Sequence, residues 1–193
     1  MRTISLSLVA LSLLATPALA AGWQDVASPY DQQRLAKLPE SRAKGISEAQ
    51  TGNDMAVVHD VLDPAAGSAG NVEGSWRCRI IKLGGMTPSR VYSWFTCNVS
   101  DRGGHLFFRK VGGLTRTSGY LYPNGDGTYV YLGAASMKSE PWHAYSGSGA
   151  SVGAEATPDD QIGLLSGIGS DRARIEFPYP VQESTFDVIE LKR

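Results

Sequence analysis

Both cysteines of this 193-residue chain, Cys78 and Cys97, fall within one stretch, Glu73 to Val99, which reads as two strands joined by a turn. The residues alternate at period 2, so Trp76, Cys78 and Ile80 share one face of the first strand, and Arg77, Arg79 and Ile81 share the other. On the second strand Val91, Phe95, Cys97 and Val99 share a face. A hairpin folded about the midpoint of the two cysteines turns over Gly84 to Ser89, where the Gly-Gly pair and a proline stand. Opposed residues of an antiparallel pair have Cα atoms about 4.5 to 5.5 Å apart, within disulfide range. The register therefore predicts a Cys78–Cys97 bond directly across the hairpin. In the chain-entropy model, closing a loop of about 20 residues stabilises the fold by roughly 3 kcal/mol.

An oxidising destination agrees with that bond. Arg2 is the positive start, Ile4 to Ala15 the apolar run and Ala18-Leu19-Ala20 the cleavage site of a secretory signal, which predicts cleavage after Ala20. No cysteine follows the apolar run, which argues against a lipid anchor, and no later segment is long enough to span a membrane. Without the signal and its Arg2, 17 of the 18 basic residues face 19 acidic ones, a balance that gives no case for nucleic acid or an anionic membrane surface. About 170 residues suit one domain.

Residues 21–72 read as a helical segment and linker, and 73–193 as the β-domain. Ser28-Pro29-Tyr30-Asp31 predicts a capped helix over Asp31 to Leu38, ended by Pro39. A second helix is predicted over Asp54 to Leu62, and Ala65 to Val72 reads as a linker. Beyond the hairpin, Gly- and Asn-containing turns precede strands at His105 to Val111, Ser118 to Tyr122 and Thr128 to Leu132, forming a meander. Gly133 to Gly153 is a long connection with at most one short strand around Trp142 to Tyr145. Thr157-Pro158-Asp159-Asp160 predicts a capped helix through Leu164, Leu165 and Ile168, ending near Gly169. Strands over Arg172 to Phe177 and Thr185 to Lys192 complete the chain. Seven or eight antiparallel strands dispose of their edges in a sandwich or a closed barrel. The expected class is mainly β: an antiparallel up-and-down barrel of about eight strands, with short N-terminal helices and one helix before the last two strands.

Gly74-x-Trp76 resembles the calycin-type signature of lipocalins, avidins and some bacterial protease inhibitors, which implies that Trp76 plugs one end of the barrel. Wider coverage comes from Trp76-Arg77-Cys78-Arg79, Lys82-Leu83-Gly84, Phe95-x-Cys97, Tyr131-Leu132-Gly133, Pro178-Tyr179-Pro180, Glu183-Ser184 and Asp187-Val188-Ile189-Glu190-Leu191. Together these are similar to the secreted bacterial proteins grouped as domain of unknown function 4893. That resemblance implies a bacterial envelope setting, hence the periplasm, and brings no catalytic residue or cofactor.

Three histidines, His59, His105 and His143, stand outside any hydrolase or metal motif, so no catalytic residue, metal or cofactor is expected. Asp159-Asp160 reads as the acidic first turn of the expected helix. Arg77 and Arg79 point the same way. They are expected to form a cross-strand ladder with Asp187 and Glu190 if the first and last strands pair, or to grip a carboxylate or phosphate of a ligand. Trp142, His143 and Tyr145 are expected at the open end of the barrel, with Gly147 to Gly153 as hinge. The expected function is a non-enzymatic periplasmic module that binds a small apolar or amphipathic ligand or a protein partner. A protease-inhibitor-like or other envelope interaction protein is the second reading, and a hydrolase of unknown type the third.

Overall fold

The computed structural model describes residues 22–147 and 159–193. The expected signal peptide, most of the expected hinge, and Thr157-Pro158 of the expected cap lie outside them. Four helices come first: α1 (Trp23–Val26), α2 (Pro29–Ala36), α3 (Leu38–Ala49) and α4 (Met55–Leu62). Nine strands follow: β1 (Gly74–Leu83), β2 (Ser89–Val91), β3 (Phe95–Asp101), β4 (Leu106–Lys110), β5 (Thr115–Pro123), β6 (Tyr129–Met137), β7 (Asp160–Gly167), β8 (Arg172–Pro178) and β9 (Phe186–Lys192). Neighbours pair antiparallel in the order β2-β1-β3-β4-β5-β6-β7-β8-β9, and β1 also pairs with β9. That last pairing closes β1 and β3 to β9 into an eight-stranded barrel, with β2 a short appendage on the far half of β1.

Cys78 and Cys97 are bonded, with Cα atoms 5.8 Å apart, but their register differs from the expected one. Trp76 lies opposite Cys97 and Cys78 opposite Phe95, so the bond runs diagonally. The turn closes with Leu83 opposite Ser89, earlier than a fold about the cysteine midpoint requires, and an extra residue in the returning strand then moves the pairing by one, which brings Cys97 onto the face of Cys78 two positions from direct opposition. Tyr92 donates its N–H to Ile80 O, so Arg79, between Ile80 and Cys78, faces the two residues Ser93 and Trp94 between Tyr92 and Phe95. This bulge turns Trp94 outward over β1.

Two other expectations are corrected. Residues 160–167 form strand β7 instead of a helix. Gly163 and Leu165 face the barrel interior while Ile162 and Leu164 face the helices, so both faces are apolar and the strand shows no period-2 alternation. Pro39 opens a helix as well as following one: it stands in the first turn of α3, where its missing N–H is no loss.

The core has three parts. Inside the barrel, Phe108, Tyr131 and Phe177 meet edge to face, with ring centres 6.0 and 5.5 Å apart. The Tyr131 ring lies on Gly133, where a Cβ would come within 2.2 Å of its hydroxyl. An eight-stranded barrel is just wide enough to be filled by such side chains. At one end Trp76 donates from Nε1 to Val72 O at 2.8 Å, and the Arg193 guanidinium covers its ring at 4.4 Å. Outside, Val58, Val61 and Leu62 of α4 pack on Ile81, Leu83, Phe186 and Val188, while Trp23, Val26 and Leu35 pack on Val130, Leu132 and Ile162. The helices thus cover the wall from β6 round to β9 and the far half of β1.

Candidate functional site

The strands left outside this helical cover are β3, β4 and β5 up to Tyr120, together with the first half of β1; Tyr122, farther along β5, packs in the same apolar cluster as Trp23. Their outward positions follow from the register. Arg77 stands beside Thr96, Asn98 beside Arg109, and Ser100 beside Phe107, which in turn stands beside Tyr120. The bulge adds Trp94, and the chain after β6 adds Trp142.

On this wall the arginines stand over aromatic rings. Arg77 and Arg79 stand 5.0 and 4.5 Å from the Trp94 ring centre, Arg102 is 3.8 Å from Phe107, and Arg109 and Arg116 are 4.1 and 4.3 Å from Trp142. A guanidinium held over a ring gains cation–π attraction and still has N–H donors for an acceptor. Arg116 uses those donors on Met137 O and Glu140 O, and Arg79 uses one on Glu190 Oε2 at 2.6 Å. Glu190 is buried and also accepts from Arg172 at 2.9 Å, so Arg79 belongs to the expected cross-strand ladder. Arg77, Arg102 and Arg109 form no salt bridge with any described residue.

The three aromatic-loop residues separate. Trp142 lies on the outer wall between Arg109 and Arg116, not in the barrel mouth. The His143 ring sits between Asp159, 3.1 Å from Nδ1, and Glu140, 3.9 Å from Nε2. Tyr145 turns toward the helices: its hydroxyl donates to Asp31 and accepts from Ser28 N–H, and burial with the Asp31 contact raises its pKa strongly. His105 packs beside Tyr120 and Tyr122. Among the described residues, His143 meets only carboxylates and His105 only aromatic rings, and neither is joined to a serine, threonine or cysteine side chain.

The open end carries a second group. A cleft of about 210 Å³ is bordered by Lys82, Met86, Arg90, Tyr92, Glu183 and Ser184. Lys82 reaches Glu183 at 2.6 Å and Asp187 at 3.9 Å. Burial pushes the Asp187 carboxyl up to about 6, against the pull of Lys82 and the Ser184 hydroxyl. Nearby, inside the wall, Lys110 donates to Gly112 O and Thr115 O at 2.6 and 2.8 Å. Its charge is thereby spent on holding the β4–β5 turn.

Sequence reasoning found Arg77, Arg79 and Trp142 but not their companions Trp94, Arg102, Phe107 and Arg109. Alternation along β4 gives the outward direction of Phe107 and Arg109. The stack on Trp94 depends on the bulge, and no residue pattern announces it.

The fold and wall define a class: a small closed antiparallel β-barrel with a filled interior and a helical layer on one side. Within that class, residues 23–191 match the model of the family described as Domain of unknown function (DUF4893), and the chain belongs to that family. No curated protein and no solved structure matches the chain.

Proposed function

We propose that this is an exported, periplasmic, non-enzymatic module that binds a macromolecular partner on its outer surface. The carrying observation is the interior: Phe108, Tyr131 and Phe177 occupy the middle of the barrel, where a carrier of small apolar ligands needs a cavity of several hundred Å³. The disulfide supports an oxidising compartment. Among the described residues no helix is long and apolar enough to cross a membrane.

Native mass spectrometry of protein isolated from the producer's periplasm tests this reading. The expected species begins Ala-Gly-Trp-Gln, carries no small-molecule adduct and, after mild cross-linking, gains a macromolecular partner. A stoichiometric lipophilic adduct released by denaturation is the opposite result, and it would restore the small-ligand reading.

A further inference from the structure

Resting on that reading of an interaction module, we propose that the uncovered outer wall of β3 to β5 is the docking face, and that its occupant is an acidic surface of a partner protein. The first ground is charge. The chain as a whole carries a formal charge of −1, yet the outward positions of β3, β4 and β5 hold Arg109 and Arg116 and no Asp, Glu or Lys, with Arg77 of β1 and Arg102 of the β3–β4 turn beside them. Positive charge has been gathered on the one side that the helices leave bare. The second ground is the state of those arginines. Arg77, Arg102 and Arg109 each have the guanidinium over an aromatic ring and, among the described residues, no carboxylate on their N–H groups. They are held in place in advance for two-pronged bonding to a carboxylate, at little further entropic cost.

The third ground selects the kind of partner. Protein interfaces are enriched in arginine and aromatic residues and depleted of lysine, and buried arginine and tyrosine dominate their energetics. Here Phe107 and Tyr120 stand 4.8 Å apart in the middle of the wall. Tyr120 remains 37% exposed, so it keeps apolar area for a partner to cover. Hydrated phosphates of lipid headgroups are ordinarily met by clusters that include lysine, which this wall lacks. Asn98, exposed beside Arg109 and diagonal to Arg77, supplies the polar contact that a protein rim needs.

The probe is a random-peptide display library selected on the intact mature protein. Enrichment of peptides rich in Asp and Glu is expected, with binding that weakens as salt rises. Their affinity should fall about tenfold or more in an Arg77→Gln, Arg102→Gln, Arg109→Gln variant, and stay unchanged in Arg90→Gln, which alters a basic residue of the rim cleft outside the wall. Asn98→Glu adds a carboxylate to the wall without removing any stack; it should weaken the same peptides, and it serves if the triple variant does not fold. Selection of neutral or basic peptides, or acidic peptides that bind the wall variants undiminished, overturns the assignment. Polygalacturonate and phosphatidylglycerol vesicles are run alongside. If either binds through these arginines while no acidic peptide is selected, the partner class is wrong and the interaction-module reading survives. A lipophilic adduct by native mass spectrometry sinks that reading instead.

Discussion

Lys110 shows how much a single side chain can reveal about the barrel's interior. It points inward from β4, only 2% exposed, with its ammonium 4.2 Å from the Phe95 ring centre and, among the described residues, no carboxylate in contact. Burial pushes its pKa down to about 8 from the ordinary 10.5. Between these values the unfolded chain holds a proton that the folded chain has lost, so stability rises with pH across that window. The two carbonyls and the ring favour the charged form and limit the effect, giving a rise of between about 1 and 3 kcal/mol. Tyr122 and Tyr179, whose folded pKa values are raised, act with the opposite sign above pH 10. Urea unfolding of wild type and Lys110→Met from pH 7 to 10 separates the two: wild type should gain on the variant as pH rises, and parallel curves would refute it. At this scale the sequence told unevenly. Cys78, Cys97 and Trp76 were legible because strand alternation puts them on one apolar face. Lys110 was not, since a lysine at a strand end ordinarily reads as solvent-facing, and only the closing of the wall brings it inside.

Among the elements, β6 and β7 carry the less visible half of the fold. Strand β7 escaped sequence reasoning because a strand covered on both faces has no polar side to mark its period, and its leading Asp159-Asp160 imitates a helix start. Asp160 instead accepts from Ser146 N–H at 3.0 Å and so ties the long connection to the barrel. On β6, Gly133 faces inward beneath Tyr131, and a Cβ there would meet Ser118 O at 2.2 Å as well as the Tyr131 hydroxyl. Gly133→Ala should therefore cost about 1 to 3 kcal/mol by overpacking, read as a lower urea midpoint, whereas a neutral outcome would mean that Tyr131 does not lie there. Helix α4 is fastened by charge as well as by its apolar side. The buried Arg174 donates to Val61 O, Leu62 O and Pro64 O at the helix's C-terminal end, where positive charge is favoured, and pairs with Glu176 at 2.8 Å. Arg174→Met removes the Arg174 donor from Val61 O and Pro64 O and leaves Leu62 O to Arg42 alone, and among the described residues it leaves Glu176 with only the same, more distant Arg42, 3.3 Å away. A loss of about 3 kcal/mol is expected in chemical denaturation; a loss below about 1 kcal/mol would show that the helix is held by its apolar contacts alone.

Taken whole, the helical segment and the β-domain cover each other's apolar surface. Residues 22–72 bring helices of at most 12 residues, too short to persist in water unless packed. The barrel in turn presents Ile81, Leu83, Phe186 and Val188 outward on one side and Val130, Leu132 and Ile162 on another, apolar surfaces that water would meet if the helices left. Each part therefore supplies the burial the other lacks, and the two should unfold as one cooperative unit. Leu62, 1% exposed between α4 and the barrel, tests this. Leu62→Ala costs about 2 to 5 kcal/mol through the lost contacts and the cavity left behind. In a domain of this size each kcal/mol lowers Tm by about 2 to 4 °C. The far-ultraviolet signal of the helices and the near-ultraviolet signal of the barrel aromatics should fall together, at one midpoint, in wild type and variant alike. Amide protons of α3 and α4 should then exchange through the same global opening as those of β1 and β9. If the helical signal melts well before the aromatic one, or the variant shifts only the former, the helices are a detachable layer. The barrel would then have to keep its outward apolar surface covered by some other means.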